Sequence, residues 1–82
     1  MSTYPRVSQV SPLREKTLLV TFSDGTQKTY DCAPLLGREP FRRLQEEWLF
    51  KTVQADPGGY GVSWNDEVDL SESELWEHGV PA

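Results

Sequence analysis

Histidine and cysteine are the side chains of this sequence best suited to acid–base or nucleophilic chemistry, and the chain has one of each. A general base or a nucleophile needs an orienting neighbour within hydrogen-bonding reach. His78 stands at the end of a predicted helix, where an imidazole typically serves the helix dipole. Cys32 stands at a predicted strand end with no histidine near it in sequence, which is typical of a packed thiol. We therefore predict no catalytic residues and expect that the protein is not an enzyme.

The number and spacing of the candidate ligands also argue against metal and phosphate sites. Asp66, Glu67 and Asp69 are ligands of the kind that Ca²⁺ or Mg²⁺ takes, but they lack the central glycine of an EF-hand loop. One Cys and one His cannot complete a structural zinc site. The glycine-rich stretch Gly58–Gly61 joins two predicted strands and opens no helix, unlike a phosphate-binding loop. We predict no metal and no cofactor.

Charge is distributed unevenly along the chain. Residues 1–51 carry all eight Lys and Arg against six acids, whereas residues 52–82 carry seven acids and no Lys or Arg. The lack of a uniformly basic patch argues against direct binding of nucleic acid. An acidic face either keeps a small protein in solution or docks a basic partner protein, and both alternatives stay open. For docking, the predicted partner-binding residues are Trp64, Asp66, Glu67, Asp69, Glu72, Glu74, Trp76 and Glu77.

The acidic residues are positioned by a predicted helix near the end of the chain. Ser71 and Glu74 have the spacing of a capping box, in which the serine hydroxyl and the glutamate satisfy each other's backbone N–H groups. Leu70 and Leu75 flank the cap as a hydrophobic staple would. The pattern predicts a helix from Glu72 to about His78, ended by Gly79 and Pro81.

A β-hairpin is predicted in the first half of the chain. Leu18, Val20 and Phe22 alternate with polar residues, and a second strand follows Ser23-Asp24-Gly25. A three-residue loop with Gly25 in the left-handed conformation places Tyr30 and Cys32 on the same face as these apolar residues. The predicted pairs are Leu18 with Tyr30, Val20 with Lys28 and Phe22 with Thr26. An earlier strand is expected over Arg6 to Leu13, although Val7 and Val10 have opposite parity and Pro12 suits an edge.

A central helix and a second hairpin complete the predicted elements. Pro40 suits a first helical position, after which Phe41, Leu44 and Trp48 share one helix face. The chain then returns as a strand over Phe50 to Ala55, turns at residues 56–59 and comes back over Tyr60 to Trp64. The predicted register matches Ala55 with Tyr60 and Val53 with Val62, so that Tyr60, Val62 and Trp64 line one face.

These elements predict one α+β domain over residues 1–82. It consists of a small antiparallel sheet made of two hairpins and an N-terminal strand, with one short central and one short C-terminal helix. No signal-peptide pattern and no membrane-spanning run is present, so we expect a cytoplasmic protein without a membrane partner. The first strand offers an edge for a homodimer, whereas Pro5 and Pro12 are placed to block such pairing, and both alternatives stay open.

Motifs spread over the chain resemble a bacterial protein family. They include Val-x-x-Val-x-Pro, Leu-x-Val-x-Phe-x-Asp-Gly, Tyr-Asp-Cys-x-Pro-Leu-Leu and Trp-Asn-Asp-x-x-Asp-Leu-Ser-x-x-x-Leu-Trp. From about Pro5 to Trp76 the chain resembles the domain of unknown function 2442 family, which implies a prokaryotic α+β domain and supplies no catalytic residues. The resemblance favours a small protein-interaction module, an adaptor or an antitoxin-like partner of another small protein. The alternative is an accessory regulatory domain that acts in transcription control through a separate DNA-binding chain.

Overall fold

The computed structural model describes residues 4–65 and 68–82, which form seven short strands and two short helices. The strands are β1 (Val7–Leu13), β2 (Thr17–Phe22), β3 (Gln27–Asp31), β4 (Gln54–Ala55), β5 (Gly61–Ser63), β6 (Asp69–Ser71) and β7 (Val80–Pro81), and the helices are α1 (Glu47–Phe50) and α2 (Glu72–His78). They build a four-stranded sheet in the order β1-β2-β3-β7 and a three-stranded sheet in the order β4-β5-β6. All neighbouring strands run antiparallel. The α+β class is confirmed, with two sheets instead of the single sheet expected.

The β2–β3 hairpin has the predicted register. Gly25 has a φ of +90° and donates its N–H to the carbonyl of Phe22, as a left-handed bulge residue does. Tyr30 and Cys32 are both buried with the apolar face of β2. The pairs are Leu18 with Tyr30 and Val20 with Lys28, and the Phe22 N–H donates to the Thr26 carbonyl.

Strand β1 contains a bulge that accounts for the unequal parity of its valines. Val7 pairs with Phe22 and Val10 pairs with Val20, so Ser8 is the extra residue on the β1 side. The extra residue brings both valines onto the face that β2 turns to the core. The bulged part of β1 also approaches the turn between β4 and β5 of the second sheet. The two backbones are so close there that a Cβ on Gly59 would lie 2.7 Å from the Val7 carbonyl oxygen.

The predicted helix that begins at Pro40 does not form as a single element. Phe41–Gln45 is a 3₁₀ turn, Glu46 is extended with a ψ of 116°, and α1 follows. Trp48, expected on the buried face, is 62% exposed. The break allows Leu49 and Phe50 to enter the core together with Leu44, and these two side chains remove more apolar surface from water than Trp48 alone would.

The second hairpin forms with a different register from the one predicted. Ala55 pairs with Val62 rather than Tyr60, so the expected strand over Phe50 to Ala55 shortens to β4. Gly58 and Gly59 both have positive φ and lengthen the turn. Tyr60 is therefore 57% exposed, whereas Val62 and Trp64, which were expected on the same face as Tyr60, are buried.

One apolar core connects both sheets and α2. Its buried residues come from strands β1 to β3, from the segment that includes α1, from β5 and β6, and from Leu75 of α2. Two short strands, β6 and β7, were not predicted; β7 adds to β3 by pairing Val80 with Thr29. Within the described residues, no helix is long and apolar enough to cross a lipid bilayer.

Candidate partner-binding surface

Helix α2 carries the acidic residues and begins as predicted. The Ser71 hydroxyl accepts a hydrogen bond from the Glu74 N–H at 3.2 Å, and the helix ends at His78. The other half of the capping box is replaced by a long-range contact, because Glu74 Oε2 accepts from the Tyr30 hydroxyl at 2.8 Å. The N-terminus of α2 is thus capped locally, and Glu74 ties the helix to β3.

The opposite end of α2 is held against the first sheet by Trp76 and Lys28. The Trp76 ring packs edge-on against Phe22 with ring centroids 5.0 Å apart. Lys28 Nζ lies 4.0 Å from the Trp76 ring centroid and donates to the Trp76 carbonyl at 2.6 Å, which places a cation at the C-terminal end of the helix dipole. Trp76 is half-buried, so a partner reaching it also meets Lys28.

Trp64 lies in the core and not on the surface. It is 7% exposed, and its indole Nε1–H donates to the Phe50 carbonyl at 2.9 Å. The indole hydrogen bond satisfies the polar end of the ring inside the protein. The structure therefore gives a partner no access to Trp64.

The acids of α2 are divided between two sides of the helix. Because successive helical residues are about 100° apart, Glu72 lies nearly opposite Glu74, and Glu77 lies on the same side as Glu74. Glu72 is half-buried and faces Arg6, with Arg6 Nε 3.7 Å from Glu72 Oε2. The Arg6 guanidinium also lies 4.0 Å from the Tyr60 ring centroid, so Glu72 belongs to a packed contact and not to the outer acidic side.

The remaining predicted acids lie nearer to solvent or outside the described part of the chain. Glu77 is exposed and accepts a hydrogen bond from the Tyr4 hydroxyl. Asp69 is exposed on β6, opposite Ser63 of β5. Asp66 and Glu67 lie outside the described residues. The structure thus brings Glu74 and Glu77 to one side of α2 and separates Glu72 and Trp64 from them.

A groove lies between β3 and α2, beside this acidic side. Its larger part is a cavity of about 490 Å³ lined by Tyr30 and Asp31 of β3, Glu74 and His78 of α2, and Val80 of β7, among others. A second cavity of about 400 Å³ shares Tyr30, Leu35 and Glu74 with the first among its lining residues. We call the larger cavity the β3–α2 groove.

Tyr30 is held in its neutral form at the floor of the groove. Burial raises the pKa of Tyr30 most strongly, and the hydrogen bond to Glu74 and the charge of that carboxylate raise it further. The phenol is therefore a donor over the whole physiological range. His78 Nε2 lies 3.8 Å from Glu74 Oε1, so the two Glu74 oxygens face different neighbours.

Cysteine and metal chemistry find no further support in the described residues. Cys32 is buried, and burial followed by the negative charge of Asp31 raises its thiol pKa to about 12. The prediction of a packed thiol is confirmed by this burial. In the ranges 4–65 and 68–82, no three His, Cys, Asp or Glu side chains come together as ligands of a metal ion.

Comparison with protein-family models identifies the family of this chain. The family described as "Protein of unknown function (DUF2442)" matches residues 7–81, which is nearly the whole chain. The chain belongs to this family. The comparisons with curated proteins and with solved structures found no match. The resemblance seen in the motifs is thereby confirmed, and any DUF2442 function has to be argued from the surface of the molecule.

Sequence patterns did not predict the β3–α2 groove. Tyr30 was expected only as a strand residue, and Val80 was expected only beyond a helix end. The groove requires β7 to return along β3, and a two-residue strand that contains proline gives too weak a pattern to be recognised. The one usable signal was the two-residue spacing of Tyr30 and Cys32, which placed Tyr30 on the core face.

Proposed function

We propose that this DUF2442 protein is a non-enzymatic interaction module that docks a basic partner protein through the outer side of α2. In this role it is an adaptor for, or an antitoxin-like partner of, another small bacterial protein in the cytoplasm. The observation that carries the proposal is the division of the acids on α2. Glu72 faces Arg6, whose Nε lies 3.7 Å from Glu72 Oε2, whereas no Lys or Arg of the described residues pairs with Glu74 or Glu77.

Charge arrangement supports a fast, salt-sensitive encounter. Exposed acids at the rim of an interface chiefly accelerate association and are screened by salt. Asp69 extends the same sign of charge onto β6, and the acids of residues 52–82 outnumber Arg38, which lines a cavity together with Asp69 and Glu74. A basic partner is thus attracted to this end of the molecule, while its acidic competitors are repelled.

Affinity purification of the full chain from its native host tests the proposal. The extract is divided between low and high salt, and the double variant Asp69→Lys, Glu77→Lys is compared with the unaltered protein. The matched control is Glu15→Lys, Glu46→Lys, which makes the same charge change on two exposed acids away from α2. Glu72 is left unaltered because reversing it would disturb the Arg6 contact and with it the fold.

The expected result is a stoichiometric basic partner that is recovered at low salt and lost at high salt. Its association rate should fall by about tenfold or more in the α2-side variant and remain near normal in the control. Equal loss in both double variants, or recovery that is independent of salt, would contradict docking through this side.

A further inference from the structure

The edge of β3 is covered by another strand along only part of its length. The Cys32 N–H donates to the Lys16 carbonyl, so even-numbered residues of β3 direct their backbone groups toward β2. Odd-numbered residues direct theirs to the other side, as the bond from the Ala82 N–H to the Gln27 carbonyl shows. Strand β7 pairs only with Lys28 and Thr29. The backbone of Asp31 therefore faces the β3–α2 groove in place of a neighbouring strand.

The walls of the groove combine apolar surface with carboxylates. Val80 is 62% exposed, and Pro34 and Leu35 add further apolar surface. Asp31 and Glu74 supply the charge, and His78 is the one imidazole, guanidine or amine among the described residues that line the groove. Apolar walls with acids suit a cation carried on an apolar stem, which is the form of a lysine or arginine side chain.

Hydrogen bonds already made within the protein favour lysine over arginine. Asp31 Oδ1 accepts from the Ala33 N–H at 2.9 Å, and Glu74 Oε2 accepts from Tyr30. Each carboxylate therefore has one oxygen engaged, which opposes the bidentate pairing that a guanidinium prefers. An ammonium has three rotatable donors, so it can use the second oxygen of Asp31 and share Glu74 Oε1 with His78, whose Nε2 lies 3.8 Å from that oxygen.

We propose that the β3–α2 groove binds an extended segment of a partner protein, whose backbone pairs with β3 at Asp31 and whose lysine ammonium lies between Asp31 and Glu74. The binding mode is a backbone contact at the last residue of β3, since β7 pairs with the preceding part of that edge, and a side-chain pocket supplies specificity. This inference rests on the proposed docking function and adds the site and the recognised side chain.

Titration of the full-length ¹⁵N-labelled protein with blocked tripeptides tests the groove directly. The probe is acetyl-Val-Lys-Val-amide, compared with the same peptide carrying norleucine or arginine in place of lysine. Norleucine is the decisive comparator because it keeps the apolar stem and removes the ammonium. We expect saturable shifts at residues 29–31 and 74–80, and slower hydrogen exchange at the Asp31 amide when the lysine peptide is bound.

The expected affinity order is lysine above arginine above norleucine, with about tenfold between the first and the last. Glu74→Gln and Asp31→Asn keep the internal hydrogen bonds and remove the charge, so each should weaken the lysine peptide several-fold. Glu46→Gln is the matched control, because Glu46 is exposed and makes no side-chain capping bond. It should leave the affinity unchanged.

Three binding results would overturn the inference, and so would a failure of the peptides to bind. The first is equal binding of the lysine and norleucine peptides, and the second is an equal loss of affinity in Glu46→Gln. The third is that Nα-acetyl-lysine amide binds as tightly as the tripeptide and that hydrogen exchange at the Asp31 amide is not slowed. This result would indicate a site for small amines. If the peptides fail but the salt-sensitive partner is still recovered, the groove is excluded and the docking proposal stands. If the peptides bind as expected but no partner is recovered, the docking proposal fails and the groove is retained as a peptide site.

Discussion

Gly25 shows how much of the first hairpin depends on one residue's backbone. Its φ of +90° is strained for any residue with a Cβ, although a Cβ there would meet no atom within 4 Å. We expect Gly25→Ala to lower the free energy of unfolding by about 1 kcal/mol through conformation alone. Gly37→Ala is the matched control, since Gly37 has equal free space and no positive φ. Urea unfolding of both variants should show a loss only in the first.

Cys32 makes the stability of the protein sensitive to alkali. Its thiol pKa is raised from an ordinary value of 9.0 to about 12, so the folded state binds the proton more tightly than the unfolded state does. The associated stability is present below pH 9 and is lost as the pH rises toward 12. Tyr30 acts in the same direction, since its pKa is also raised.

Urea titrations of the native chain and of Cys32→Ala measure this effect. Between about pH 8 and about pH 10.5 the native chain should lose on the order of 1 kcal/mol more unfolding free energy than the variant. The variant is less stable at both values because it leaves a small cavity, but its slope with pH is shallower. Parallel slopes would show that Cys32 is not protected by burial.

Individual residues were predictable where their partners are near in sequence. The hydrogen bond from the Glu74 N–H to the Ser71 hydroxyl follows from a spacing of three residues, and the sequence predicted it. The partner of the Glu74 carboxylate is Tyr30, which is 44 residues away, and no local pattern reports such a contact. The exposure of Trp48 was missed for a similar reason, because it depends on which other side chains fill the core.

Among the elements, α2 depends most clearly on a single cap. Ser71→Ala removes the acceptor for the Glu74 N–H and should cost about 1 kcal/mol of unfolding free energy. Ser71→Asn keeps a good N-cap residue and should remain near the stability of the native chain. Thermal unfolding followed by circular dichroism distinguishes the two. Equal stability of both variants would mean that packing of Leu75, and not the cap, holds the helix.

Elements were predicted correctly where side-chain alternation and turn chemistry agree. Alternation in β2 and a glycine suited to positive φ both favoured the same three-residue loop, and the observed register follows. Between Pro40 and Phe50 the prediction considered only Phe41, Leu44 and Trp48, which have helical spacing. It did not consider Leu49 and Phe50, which compete with Trp48 for burial. Burial of that pair determined where the helix broke.

The core that both sheets and α2 share predicts a single cooperative unfolding transition. Trp64 packs with Phe50, with ring centroids 6.1 Å apart, next to the second sheet, whereas Trp76 packs on Phe22 of the first. Two variants, one that keeps only Trp64 and one that keeps only Trp76, with Phe in place of the other tryptophans, therefore report on different sheets. Their fluorescence transitions in urea should coincide with each other and with circular dichroism. Separate midpoints would show that the two sheets unfold independently.

Acidic residues of the second half of the chain illustrate what composition can and cannot predict. The excess of negative charge was visible in the sequence, but its placement was not. Helix periodicity separates Glu72 from Glu74, and only the position of Arg6 shows which of the two sides faces a basic residue. The β3–α2 groove adds a further step, since it requires the return of β7 along β3.

The bulge at Ser8 has a consequence for how DUF2442 sequences should be aligned. Loss of this one residue would leave Val7 and Val10 two positions apart, so every apolar side chain would keep its face in a regular strand. The strand would lose its local bend, however, and with it the close approach of the Gly59 backbone to Val7. Relatives with a one-residue gap at this position should therefore accept Asn or Asp where this chain has Gly59, since a φ of +78° still disfavours most other side chains. Gap length and glycine should covary within the family, independently of which valine or isoleucine occupies the flanking sites.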